Sequence, residues 1–305
     1  MFAAVVAALI ASPGGQSTAQ PEPTDFVSAA RAAIADPGLA ENPTGANDWS
    51  CRPATGTRPV VLLHGSWENS FNTWAQMAGR IARSGRCVFA VNYGDDRGAS
   101  LAGRGPQVYA TAPIPGSAHE VSRFVDRVLA ATGADQVDVV GHSQGGVVAL
   151  YYLTYSGGRR TVHNVVALGS SYRGVTLGGF DRTAGRLREA GVDVMPAVGG
   201  VLGQASRDRL AGSPLLRRLN AERVLPVGVL TNVSSRDDEL NKDLEGTQLP
   251  GGDHVSNVVL QDRCAVDRSG HFQLPYSPFA QEVVVASLAQ RPVDPQRCRP
   301  VRHTF

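Results

Sequence analysis

The sequence predicts an α/β fold, a mainly parallel central sheet of about six strands flanked by helices. Three observations predict it. Short, nearly all-apolar runs rich in β-branched residues recur from residue 59 onward, stretches with helical spacing separate them, and one run passes through a Gly-x-Ser-x-Gly turn into a helix.

The strand-like runs are 59–63, 87–92, 137–140, 164–168, 226–231 and 256–260. Their continuous apolar character suits strands covered on both faces. Between them, 73–84, 117–132 and 144–155 carry apolar residues at helical spacing, with Val121, Phe124, Val125 and Leu129 on one face. Residues 25–35 read as a short helix, followed by a Pro-, Gly- and Asn-rich lead to 58. The rhythm breaks at 172–220, a Gly- and Arg-rich stretch with an apolar segment at 192–202 and no clear strand. It fits either a cap insertion or a surface excursion. No domain boundary falls there, so 20–305 is expected to form a single domain.

Composition excludes several classes. With 42% hydrophobic and 18% charged residues the chain is ordinary globular protein, neither disordered nor collagen-like. A net charge of +2, with both signs scattered, offers no concentrated patch for nucleic acid or an anionic membrane. A monomer is the default expectation. The apolar run 2–11 is too short to span a bilayer and suits the core of a secretory leader. No Lys or Arg precedes it, and a buried N-terminal helix is the other reading. Ser17, Thr18 and Ala19 suit signal peptidase, which sets the expected leader at 1–19 and the product outside the cell.

Four cysteines agree with an oxidising compartment and permit three pairings. Cys51 lies just before the 59–63 run and Cys87 opens the 87–92 run, so neighbouring parallel strands bring them together. Cys264 and Cys298 then staple the C-terminal tail to the segment before His271. No CxxC or tight Cys/His cluster suggests zinc, and no metal site is expected.

The chemistry concentrates in Val137-Asp138-Val139-Val140-Gly141-His142-Ser143-Gln144-Gly145-Gly146. A buried strand enters a sharp turn, and Gly141 and Gly145 remove side chains that would collide with strand and helix. The turn presents the Ser143 hydroxyl at the positive end of a helix dipole. A serine hydroxyl is a weak nucleophile and needs a histidine base within proton-sharing distance, itself oriented by a carboxylate. On a strand–elbow–helix scaffold of the α/β-hydrolase type these follow in the order serine, acid, histidine. Among His163, His254, His271 and His303, only His271 follows the last strand and precedes the helical 278–288. His254 precedes its strand, which sends it to the opposite edge. For the acid, Asp237, Asp238 and Glu239 all lie just beyond a strand end. The amides of Ser66 and Gln144 are the expected oxyanion donors, Gly65 permitting close approach, while His64 reads as a structural hydrogen-bonding residue.

These stretches resemble the secreted bacterial triacylglycerol lipases and esterases grouped as class 2 lipases, particularly their actinobacterial branch. The resemblance rests on Asn47-Asp48-Trp49-Ser50-Cys51, Pro59-Val60-Val61-Leu62-Leu63-His64-Gly65, Phe71-Asn72-Thr73-Trp74, Cys87-Val88-Phe89-Ala90-Val91-Asn92-Tyr93-Gly94, the serine elbow and Ser213-Pro214-Leu215-Leu216-Arg217-Arg218-Leu219-Asn220. They occur in order from about residue 45 to 290. Gly270-His271-Phe272 is similar, more distantly, to the histidine segment of the small Bacillus lipase. The resemblance implies Ser143 as nucleophile, His271 as base, Ser66 and Gln144 as oxyanion hole. It matches Arg236-Asp237-Asp238-Glu239-Leu240 to the family's Arg-Tyr-Asp-Glu-Val-like run with Asp238 as the acid. An aspartate in place of the aromatic residue keeps Asp237 as an alternative. Leu168-Gly169-Ser170-Ser171-Tyr172-Arg173-Gly174 is similar to a family loop but lacks its proline and histidine.

Sequence reading therefore expects hydrolysis of a carboxylic ester, of lipid or related type, through a Ser143 acyl-enzyme without metal or organic cofactor. Polyester depolymerase, phospholipase and thioesterase use the same residues and stand as alternatives. A catalytically inactive lipid-binding member of the fold is the reading from another class.

Overall fold

Successive side chains of a strand point to opposite faces, and this alternation builds two cores on one sheet. In the computed structural model, which describes residues 22–176, 194–222, 228–250 and 252–303, the strands are β1 (Val60–Leu63), β2 (Val88–Val91), β3 (Val137–His142), β4 (Val162–Leu168), β5 (Val229–Ser234) and β6 (Val255–Val259). They form one sheet in the order β2-β1-β3-β4-β5-β6, and every pairing is parallel. Val61, Leu63, Phe89, Val137, Val139 and Val165 face the Ile114–Thr132 and Gln144–Tyr155 helices. Val60, Leu62, Val88, Val140, Val166 and Leu168 face the Met77–Ala82 and Pro278–Leu288 helices. Each fully buried Val or Leu side chain contributes roughly 1.5–3 kcal/mol. The expected parallel sheet with flanking helices is therefore present.

Register decides what the sheet can present. Leu63 lies beside Gly141, His142 beside Leu168, Leu168 beside Val233 and Ser234 beside Val259. The loops after β1, β3, β4, β5 and β6 therefore leave from one edge, where ligands of open parallel sheets bind.

Several predicted boundaries move. The helix expected at 73–84 is two helices, Ser70–Trp74 and Met77–Ala82. The first starts early because Asn69 accepts from the Phe71 and Asn72 amides and Asn72 caps reciprocally. The 226–231 strand runs later, to Ser234. Its polar Asn232 looks like a strand end in sequence, yet its side chain is buried and its Nδ2 donates to the Thr247 carbonyl. The 256–260 strand is the sheet edge, with Ser256 and Asn257 exposed rather than covered on both faces. His163 lies within β4.

Residues 194–222 form the helices Met195–Leu202, Gln204–Asp208 and Pro214–Ala221, and Val175 bridges Leu210 where sequence shows no strand. The segment is fastened to the body: Trp67 Nε1 donates to the Leu202 carbonyl at 2.9 Å, and the Ile114 amide donates to Asp208 Oδ2 at 3.0 Å. The rest of the 172–220 insertion, 177–193, lies outside the described residues, as does the 1–19 leader. No helix among the described residues is long and apolar enough to cross a membrane.

Both expected disulfides are formed, Cys51–Cys87 with Cα atoms 5.8 Å apart and Cys264–Cys298 at 5.3 Å. Cys51 reaches Cys87 from the lead before β1, as expected. Each bridge closes a loop, of 36 and 34 residues in sequence separation, for which chain entropy predicts about 4 kcal/mol of stabilisation. Replacing Cys51 and Cys87 together by serine should lower the unfolding free energy by roughly that amount in a urea titration; an unchanged midpoint would contradict it.

Candidate active site

The strand-to-helix turn after β3 is the most constrained backbone of the sheet edge. Ser143 sits at φ 51°, ψ −117°, a conformation that costs a non-glycine residue about 1–3 kcal/mol. It is retained because its neighbours leave no alternative. The Ser143 amide donates to the Leu168 carbonyl at 2.8 Å, and Ser170 Oγ donates to the Ser143 carbonyl, also at 2.8 Å. A Cβ at Gly141 would lie 2.6 Å from the backbone of Gly145, and one at Gly145 would strike the Leu63 carbonyl. The expected elbow geometry is thus present, with both glycines required by close approach.

His271 opens a short 3-10 helix, His271–Tyr276, after β6. Its Nδ1 is 2.8 Å from Asp238 Oδ2, and both side chains are almost fully buried. Asp238 also accepts from the amides of Leu240 at 2.9 Å and Asn241 at 2.7 Å. A carboxylate facing Nδ1 fixes the tautomer, leaving Nε2 free to accept a proton. Burial pushes the Asp238 carboxyl up, but the imidazole and the two amides outweigh it and hold the group below the usual carboxylate range. Burial likewise opposes the charged form of His271, and the pull of Asp238, Glu68 and Glu239 overcomes it, so the imidazole is more basic than usual.

Of the three adjacent acids only Asp238 meets the imidazole. Asp237 forms a two-pronged ion pair with Arg268, at 2.6 and 2.7 Å. Glu239 Oε2 accepts the His271 amide at 2.8 Å. His254 precedes β6 at the opposite edge. His303 reaches the Asp237 carbonyl at 2.9 Å through the tail that Cys298 anchors.

Ser143 and His271 leave the same edge of the sheet, and the ring of His142, the residue before Ser143, lies 4.9 Å from that of His271. A Cβ at Gly169, the residue after the partner of the Ser143 amide, would lie 3.3 Å from both His271 Nδ1 and Asp238 Oδ2. Among the described residues, however, Ser143 Oγ makes no hydrogen bond, where sequence reading expects one to the imidazole. A free enzyme often holds this contact loosely and tightens it around substrate.

The loop after β1 faces the elbow. Ser66 Oγ donates to Gln144 Oε1 at 2.6 Å, and Gln144 Nε2 donates to the Ala110 carbonyl at 3.0 Å. Neither the Ser66 nor the Gln144 amide meets an acceptor among the described residues. Trp67, at φ 59°, marks strain in this loop. His64 has the structural place expected: Nδ1 faces the Gly65 carbonyl at 2.9 Å, Tyr93 stacks on its ring, and burial lowers its pKa to about 4.

Sequence reading missed Glu68, His142 and Asn241. Glu68 is buried and its Oε2 accepts from the Gly65 amide at 2.8 Å, from Thr73 Oγ1 at 2.6 Å and from His142 Nδ1 at 3.0 Å. Burial pushes its carboxyl up, but His142 and these donors bring it down to about 2. His142 Nε2 in turn meets the His271 carbonyl at 3.1 Å. Asn241 Nδ2 donates to the Gly169 carbonyl at 2.7 Å and to Asp238 Oδ2 at 3.2 Å. A carboxylate three residues after Gly65, in a loop already singled out, was the available sign.

The comparisons with known proteins agree with this architecture. A family model described as alpha/beta hydrolase fold matches residues 58–202. The chain has the α/β-hydrolase fold. Aspergillus fumigatus lipase B superposes with a TM-score of 0.61 at 19% identity, over 94% of this chain and 64% of that one. Mature Bacillus licheniformis lipase BlEst2 superposes with a TM-score of 0.55 at 14% identity, over 81% of this chain and 99% of the other. In sequence, this chain is 30% identical over 130 residues to triacylglycerol lipases of Pseudarthrobacter phenanthrenivorans and Burkholderia plantarii, covering 40% of this chain and 35% and 32% of theirs. The match thus spans about a third of the length of those curated relatives.

Because Glu68 ionises near pH 2 when folded and near ~4.3 when unfolded, its contribution to stability is complete above ~4.3 and fades as pH falls toward 2. Glu68→Ala should cost about 3–5 kcal/mol at neutral pH, as for a broken buried pair, and should flatten the acid limb of the stability curve. A steep acid limb surviving in this variant would contradict the assignment.

Proposed function

We propose that this α/β hydrolase is a serine esterase or lipase that cleaves carboxylic esters, acylglycerols or related lipid esters, through an acyl-enzyme on Ser143. The observation that carries the reading is the His271–Asp238 pair at 2.8 Å, buried beside a serine in a strained elbow at the carboxyl edge of a parallel sheet. The lipase relatives support the substrate class, and the two disulfides support export and a secreted class 2 type of enzyme. Residues 20–305 then form the mature single domain after loss of a 1–19 leader.

In the reaction, His271 Nε2 takes the Ser143 hydroxyl proton as Oγ attacks the ester carbonyl. Asp238 stabilises the resulting imidazolium and does not itself take the proton. The amides of Ser66 and Gln144 receive the oxyanion, each worth about 2.7–4 kcal/mol of barrier. His271 then returns its proton to the departing alcohol. Water repeats the sequence on the acyl-enzyme and releases the acid.

Ser143→Ala should lower kcat on p-nitrophenyl butyrate by about 10⁵- to 10⁶-fold; activity within tenfold of wild type would end the assignment. Asp238→Asn should cost about 10⁴-fold, whereas Asp237→Asn should stay within a few-fold, and the reverse order would make Asp237 the acid. His271 must be neutral to act as base, and its pKa is raised. The kcat/KM profile should therefore fall tenfold per pH unit on the acid side, with an apparent pKa above ~6.5. A value below that would contradict the ion pairing described.

A further inference from the structure

Arg209 is a buried cation that the mechanism above does not use. It is 6% exposed, it has no carboxylate partner among the described residues, and its Nε is buried without an acceptor. Removing a guanidinium from water without an ion pair is expensive, and hydrophobic packing alone gives no reason to keep it. Its position gives one. Arg209 Nη1 donates to Ser66 Oγ, and the same Oγ donates to Gln144 Oε1 at 2.6 Å. One guanidinium is thereby joined, through one hydroxyl, to both residues whose amides form the proposed oxyanion hole.

The surroundings fix the guanidinium on that hydroxyl. Glu68, a carboxylate whose charge acts on Arg209, is occupied by Gly65, Thr73 and His142. The Arg209 backbone is held within the 194–222 segment, its amide on the Ala205 carbonyl at 3.0 Å and its carbonyl accepting from Val175 at 2.9 Å. The indole of Trp67, next to Ser66 and strained at φ 59°, is bonded to the same segment at Leu202. The loop after β1 is therefore set from above by two contacts, one neutral and one charged.

We propose that Arg209 is a positioning residue for the hydrolysis: through Ser66 Oγ it fixes the loop that carries the first oxyanion donor, and its desolvated positive charge favours the negative charge formed there. The proposal rests on the serine-hydrolase reading. Such an interaction strengthens as the tetrahedral oxyanion develops and is weak toward the neutral ester, so its loss falls on kcat and leaves KM in place. A purely structural clamp would instead lower stability and act on both constants alike.

The experiment compares wild type, Arg209→Met, Arg209→Gln and Arg209→Lys on p-nitrophenyl butyrate. It measures kcat, KM, the Ki of butylboronic acid as a tetrahedral mimic, and the Tm of each. Arg209→Met should lower kcat about ten- to hundredfold, with KM within twofold, boronate affinity weakened by the same factor and Tm equal or higher. Arg209→Lys should recover at least a tenth of the wild-type kcat, which neutral Arg209→Gln should not, and this pair carries the test if Arg209→Met does not fold. An unchanged kcat, a loss confined to KM, or a kcat loss without loss of boronate affinity would overturn the proposal. Labelling by a fluorophosphonate separates the two readings. Wild type that does not label at Ser143 sinks the hydrolase reading, whereas wild type that labels beside an Arg209→Met of normal kcat sinks this one alone.

Discussion

The left-handed backbone at Ser143 is the constraint on which the whole carboxyl edge depends. A single residue at φ 51°, ψ −117° cannot hold itself there. It needs a strand in front, a helix behind, glycines where backbones cross, and an acceptor on β4 for its amide. Each requirement is met by an element built for packing: β3 and β4 are buried strands, and the Gln144–Tyr155 helix is a core helix. Strain of a kcal or two at one turn is small beside the apolar burial that enforces it.

The polar groups behind this edge act as one body. Glu68 holds the loop after β1 by the Gly65 amide and holds His142 in the elbow. His142 reaches the His271 carbonyl, and Asp238 and Glu239 hold the imidazole and amide of the same residue. Asn241 ties Asp238 to Gly169. The loops after β1, β3, β5 and β6, far apart in sequence, are thus coupled through buried hydrogen bonds in a medium of low dielectric, where such bonds are strongest and most demanding of geometry.

Much of this was legible in the sequence because its causes are local. Strands covered on both faces must be continuously apolar, and the six strand-like runs all became strands. The elbow was legible because close backbone approach needs glycine at Gly141 and Gly145. His271 stood out by its place after the last strand, but which of Asp237 and Asp238 meets the imidazole was not local. It turns on Arg268, 31 residues from Asp237, whose guanidinium takes that carboxylate away. Glu68 and Arg209 escaped for a related reason: a charged residue in a loop ordinarily reads as solvated, and only the three-dimensional packing makes it buried. Boundaries moved where polar side chains found partners inside the fold, as Asn232 did with Thr247.

The exposed face of β6 has a consequence for how these molecules behave in a crowd. An outermost strand with a free row of peptide groups invites another strand to dock. Here Asn257 turns its carboxamide onto the backbone of Leu249, accepting from its amide at 3.1 Å and donating to its carbonyl at 2.9 Å. The strand is short, and exposed Ser256 and Asn257 give this margin a polar character that discourages ribbon-like self-association at high concentration.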